Sequence, residues 1–366
     1  MKRSLLLVFA CAGSVAFAQD ATPVPAIPFD SVPNFFKLLP DMNFGEGAGI
    51  AVNSKKHVFV FSRGNTSGPA YGATAAQLLE FAPDGRFLRE IGKNLYAWSY
   101  AHAVRIDKDD NIWAIDKGSD MVIKFNPEGH VMMVFGRKKE ASDENGPWTR
   151  VNPPRAPVDT QFRQPTDVTW DPQGNIFISD GYINSRVAKF DKNGRWVKSF
   201  GTPGREQGQL NTPHSIAADA KGNIYVADRG NRRIQVFDPD GNFQRMITID
   251  VPVPPDVVPV YGPKPNPQQA AGGTFGSGAP WAICITPGPT QYLYSADSYP
   301  GRIYKLTLDG KVLGTLGTSG RQLKEFGWIH EMACPSENEI YTAEVLNWRF
   351  QKLLLHPTKE ETSGGR

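Results

Sequence analysis

The sequence predicts an all-β fold, a six-bladed β-propeller, and three observations predict it. One block recurs six times along the 366 residues: an apolar strand, D-x-x-G-N or a relative of it, a second strand ending in Asp, an Arg-led third strand, a Gly turn and a fourth strand. The apolar runs are short, alternate with polar residues and are separated by D-G, N-G and P-x-G turns, which is strand and hairpin chemistry. Helical periodicity is absent. Four short strands per block, six times over, read as blades around a central axis.

The elements follow in chain order. Lys2 and Arg3, the apolar run from Leu5 to Phe17 and the small-x-small Ala16-Phe17-Ala18 predict a signal peptide over 1–18, with Gln19 opening the mature chain. Cleavage before Cys11 as a lipoprotein is the competing reading, and the very short apolar run before that cysteine argues against it. An exported protein, periplasmic or secreted, is expected. Residues 19–46 form an N-terminal segment in which Phe35–Leu39 is expected to close the ring as the missing fourth strand of the last blade. The propeller is expected over 47–356, with repeats at 47–91, 101–135, 165–200, 213–247, 280–316 and 329–355, and a polar tail over 357–366. Insertions at 64–75, 137–164 and 248–279 interrupt the pattern and are read as walls around one mouth of the channel. Past the leader two cysteines remain, Cys284 and Cys334. They lie one residue out of phase on neighbouring inner strands, hence on opposite faces, and are expected as buried free thiols. A net charge of +3 without a basic run gives no reason for nucleic acid, and no apolar stretch beyond the leader is long enough to span a bilayer. A monomer is expected.

The repeat acts as a ruler. The residue opening the first strand is Ala48, His102, Thr166, His214, Trp281 and His330 in turn; the second strand ends 14 positions later in five of six copies. Three of the six histidines therefore share one slot, in blades two, four and six. Alternate blades of a six-fold ring are related by a three-fold rotation, so three imidazoles converge on the axis, a donor set that suits Zn²⁺ with an open fourth position. A lone His at a strand start is usually a structural hydrogen-bonder; three in one slot is a pattern. His57, His130 and His356 read as surface residues. One residue past the second strand stand Arg63 and Arg229, in opposite blades. Such arginines often cap carboxylates of the repeat; beside a metal they read as a clamp for an anionic group. Tyr182 lies in a loop one residue longer than its counterpart in blade four, where Gly181 permits an unusual turn. A phenol near Zn²⁺ and two arginines has a lowered pKa and can act as a base.

At these residues the chain resembles the peptidyl-α-hydroxyglycine α-amidating lyase family, on a framework of NHL-like repeats. The resemblance runs from about residue 45 to 355 and is carried by FSRG at 61–64, GKNLYAWSYAH at 92–102, QPTDV at 164–168, SDGYINSR at 179–186, TPHSIA at 212–217, VADRGNRRIQVF at 226–237 and IHEM at 329–332. It implies that His102, His214 and His330 are the zinc ligands, that Tyr182 is the catalytic base, and that Arg63 and Arg229 bind the carboxylate and hydroxyl region of the substrate. It implies a structural calcium in the channel, on the carbonyls of Ile50 and Val104 and the side chain of Glu331, where the family has Asp. Arg163 and Ile183 stand where one family disulfide is expected. The reaction implied is cleavage of the N–C bond of a peptidyl- or N-acyl-α-hydroxyglycine to an amide and glyoxylate, on a substrate supplied by a separate monooxygenase.

Two other functions fit parts of the pattern. A non-catalytic secreted NHL-repeat binding protein accounts for the framework but gives no reason for the His, Arg and Tyr slots to coincide. A different metal-dependent propeller hydrolase, such as a lactonase, uses carboxylates and Asn where the inner slots here hold His.

Overall fold

The computed structural model describes residues 24–64, 74–139, 151–265 and 274–356. The expected signal peptide, the polar tail and parts of all three insertions lie outside the described residues. Six four-stranded antiparallel sheets form the blades, with inner strands Glu46–Val52, Ala101–Ile106, Asp167–Trp170, Pro213–Ala218, Ala282–Ile285 and Ile329–Ser336. Among the described residues no helix is long and apolar enough to cross a membrane.

Each blade packs both faces against neighbours, so both residue sets of a strand are apolar. In the second strand of blade two, Trp113 and Ile115 enter the wedge toward blade three, while Ile112 and Ala114 enter the wedge toward blade one. This is the period of two expected of a strand, buried on both sides. The D-x-x-G-N turns close on their own Asp. Asp219 Oδ1 accepts the Lys221 and Asn223 N–H groups at 2.9 Å, and its Oδ2 accepts Asn223 Nδ2 at 2.8 Å.

The ring is closed by an N-terminal strand in the last blade, as expected, but the strand is Phe29–Ser31, paired with Leu353–Leu355. In Phe35–Leu39, Phe35, Phe36 and Leu38 instead plug the wedge between blades six and one. Phe36 lies 5.1 Å from Phe81, and Phe35 lies 5.9 Å from Tyr341. Four apolar residues in five suit a plug better than an edge strand, whose outer face is polar: Asp30 pairs with Lys324 and His356.

The cysteines also differ from the expectation of free thiols. Cys284 and Cys334 form a disulfide. Being out of phase does place them on opposite faces of their strands. Neighbouring blades meet through opposite faces, however, so both thiols enter the wedge between blades five and six.

Candidate metal centre

The three slot histidines sit at β-bulges. The register of the two inner strands shifts across His102 in blade two, His214 and Ser215 in blade four, and His330 in blade six. A bulged residue has no opposing partner and leaves the strict alternation of the pleat. Its side chain is thereby free to turn to the axis instead of entering an interblade wedge. The ring centres form a nearly equilateral triangle, 4.8, 4.6 and 4.7 Å on a side.

Every one of these imidazoles is oriented by the next blade. His102 Nδ1 lies 2.6 Å from the Thr166 carbonyl, His214 Nδ1 2.7 Å from that of Trp281, and His330 Nδ1 2.8 Å from that of Ala48. The three carbonyls belong to the same repeat slot. A carbonyl only accepts, so each Nδ1 carries the proton and each Nε2 presents its lone pair. Burial, then neighbouring cations, hold all three well below the ordinary histidine pKa. The rings are neutral at pH 7, and one donor atom from each lies within 4.8 Å of the others. The three histidines can hold a metal ion.

Cations and a phenol surround this point. Arg63 Nη2 is 3.2 Å from His330 Nε2, its Nε donates to the Ala101 carbonyl at 2.8 Å, and its Nη1 pairs with Glu46 at 2.9 Å. Arg229 is buried, with its guanidinium 4.0 Å from the Trp281 ring centre and 5.4 Å from that of Tyr182. The Tyr182 hydroxyl lies 3.1 Å from His214 Nε2 and 3.4 Å from His102 Nε2. Burial raises that phenol, but Lys117, Arg229 and Arg63 outweigh it, and the group falls below the ordinary tyrosine value. Gly181 is glycine for a different reason than an unusual turn: a Cβ there would clash with the Pro213 carbonyl.

Lys117 escaped the sequence reading. Its Nζ lies 3.6 Å from the Tyr182 ring centre. It stands in the slot of Arg63 and Arg229, one residue past Asp116, so the ruler contained the signal. In blades two and four the residue before the slot is a buried, hydrogen-bonded carboxylate, and in blade one it is Ser62, whose Oγ accepts the Gly45 N–H at 2.9 Å. Asp116 accepts the N–H groups of Ser99 and Ser119 at 2.8 and 2.9 Å, and Asp228 accepts Asn211 N–H at 2.6 Å and Arg233 Nε at 2.7 Å. An aromatic wall was also missed. Trp281, Phe275 and Trp328 lie 5.0 to 5.6 Å apart, with Tyr261 6.2 Å beyond Trp328.

The expected calcium ligands are differently engaged. Glu331 Oε2 accepts the backbone N–H groups of Ile50 and Val104 at 2.8 and 3.1 Å, and its Oε1 lies 2.9 Å from Arg105 Nε. Burial pushes this carboxyl well above the ordinary range, and Arg105 is the main influence opposing it. With the Arg105 guanidinium against its other oxygen, this carboxylate already faces a cation, and the surroundings do not fit a calcium ion, which needs six or more oxygen ligands. His57, His130 and His356 lie away from the centre, His57 against Glu80 and His356 against Asp30.

The NHL repeat family matches residues 210–237. Over 354 residues the chain is 26% identical to peptidyl-glycine alpha-amidating monooxygenase A of Xenopus laevis, covering 88% of this chain and 33% of that protein. It is 27% identical over 166 residues to the probable peptidyl-alpha-hydroxyglycine alpha-amidating lyase of Caenorhabditis elegans, covering 42% of this chain and 43% of that one. The matched stretch spans 15% to 33% of the length of the rat, mouse and frog monooxygenases. Virginiamycin B lyase from Staphylococcus aureus shares the fold with a TM-score of 0.53 at 14% identity, over 86% of this chain and 98% of that one. The resemblance of this six-bladed propeller to the peptidyl-α-hydroxyglycine α-amidating lyases thus rests on named relatives as well as on its own motifs.

Proposed function

We propose that the chain is a zinc-dependent carbon–nitrogen lyase that cleaves a peptidyl- or N-acyl-α-hydroxyglycine to an amide and glyoxylate. The observation that carries this reading is the convergence of three neutral imidazoles, all presenting Nε2, on a point shared with the Tyr182 hydroxyl. An all-histidine donor set with an open position suits zinc. When bound, the ion would supply Lewis-acid polarisation of the substrate oxygens.

The chain's own residues would do the rest. Arg63 and Arg229 flank the point and would bind the substrate carboxylate, with Lys117 adding a third positive charge. Tyr182, with its depressed pKa, would take the proton of the substrate hydroxyl. That oxygen's electron pair becomes the carbonyl of glyoxylate as the C–N bond breaks. The C–N pair stays on the amide nitrogen, which takes up a proton and balances the one removed. The aromatic wall at Trp281 and Trp328 supports an apolar acyl group on the substrate. A separate monooxygenase would make the hydroxyglycine. The Cys284–Cys334 disulfide supports export to an oxidising compartment.

The test is glyoxylate release from α-hydroxyhippurate by the purified protein. Turnover is expected, with loss in His214→Ala and after metal removal, and recovery on adding zinc to the stripped wild type. Stoichiometric metal without turnover on this substrate would contradict the lyase reading.

A further inference from the structure

Below the histidines the axial channel holds a second polar cluster, built from the same strands. Arg105 lies three residues past His102, Ser215 one past His214 and Glu331 one past His330. The Arg105 guanidinium grips Asp167 with two bonds, Nε to Oδ1 at 2.8 Å and Nη2 to Oδ2 at 2.6 Å. It pairs with Glu331 at 2.9 Å and donates to the Met332 carbonyl at 3.0 Å and to Ser215 Oγ at 3.3 Å. Asp167 also accepts Ser215 Oγ at 2.9 Å and the Ile216 N–H at 3.1 Å. Both carboxylates are 2% exposed, and the Arg105 side chain 14%.

One guanidinium thus bridges two buried carboxylates and connects all three histidine-bearing strands. On the Glu331 side the space is full. A Cβ on Gly49 would sit 2.7 Å from Glu331 Oε2 and 2.6 Å from the Val104 nitrogen. Below it the channel opens on a mouth to which all six blades contribute, among them Ile50, Arg105, Val168, Ile216, Cys284 and Ala333. Two carboxylates facing each other in such a channel would repel without a cation between them. A divalent ion is one solution, and a bidentate guanidinium, always charged, is another.

We infer that Arg105 is a built-in cation: it takes the place of a divalent ion in the channel and holds the three histidine strands at the spacing that binds metal. Arg105 is a positioning residue, acting through Glu331, Asp167 and Ser215.

The test compares the full-length wild type with Arg105→Ser in metal-free buffer, with and without calcium at about 1 mM, a concentration that weak extracellular calcium sites require. The wild type is expected to carry no stoichiometric calcium by mass spectrometry and to show no calcium-dependent Tm. Arg105→Ser is expected to lose roughly 5–10 °C in Tm and to bind zinc about 10–100-fold more weakly. Calcium, entering by the open mouth onto Glu331 and Asp167, is expected to restore much of both losses. Should the serine variant not fold, Arg105→Lys keeps the charge without the fork and is expected to hold zinc more weakly than the wild type, but folded. The inference is overturned by stoichiometric calcium in the wild type, by a wild-type Tm that calcium raises, by an Arg105→Ser protein indistinguishable from wild type, or by losses that calcium does not reverse. The zinc readout rests on the proposed metal reading of the histidines; the calcium and Tm readouts do not, so the two fail separately.

Discussion

At the Tyr182 hydroxyl, two imidazole nitrogens and three side-chain cations meet within one buried space. If the phenol takes the substrate proton, Tyr182→Phe should lower kcat about 10²–10⁴-fold while leaving zinc content and Tm unchanged. A fall in zinc content instead would make the residue part of the scaffold. Lys117→Met should raise KM for α-hydroxyhippurate about tenfold through loss of a charge-assisted contact and should also move the acid limb of the kcat profile to higher pH, because Lys117 leads the cations that hold the Tyr182 phenol down; Lys117→Arg should restore both, and an unchanged KM would remove Lys117 from the substrate site. The histidines and Tyr182 were legible in the sequence because a repeat with constant spacing converts position into direction. Lys117 obeys the same spacing, and its role depends on the Tyr182 ring that the fold brings against it. The pinning of the slot by Asp116 was not legible, because the backbone N–H groups it accepts come from two separate segments, Ser99 ahead of the inner strand and Ser119 in the turn that follows Asp116.

Among the elements, strands were legible and their irregularities were not. The bulges that aim His102, His214 and His330 are one-residue mismatches between paired strands, and no composition marks them. The closing strand Phe29–Ser31 is three residues with a polar centre, which alternation cannot detect, whereas the more apolar Phe35–Leu39 attracted the assignment. The disulfide was not legible from phase within a strand, because neighbouring blades meet through opposite faces and bring out-of-phase thiols together. It closes a loop of 50 residues between blades five and six. Replacing both cysteines by serine should cost about 2–4 kcal/mol of stability, seen as a lower denaturant midpoint, with glyoxylate release per folded molecule unchanged. A loss of turnover greater than the loss of folded protein would mean that the bond shapes the centre itself.

At the scale of the molecule, the ring turns distant residues into neighbours. Glu331 and Ile50 are 281 residues apart and share a hydrogen bond; His330 and Ala48 are 282 apart and share another. The six-blade count was legible because each repeat is one blade. The Arg105 cluster was not, since it joins different offsets of the repeat across the axis, where only the assembled ring brings them together. The central claim is that this symmetry builds one metal centre from alternate blades. Metal stoichiometry of the purified protein tests it most directly. The expected result is one zinc ion per chain, lost in each of His102→Ala, His214→Ala and His330→Ala while the variants retain the wild-type far-ultraviolet dichroism. Zinc content that survives these substitutions, or a folded wild type that binds no metal when zinc is supplied, would contradict it.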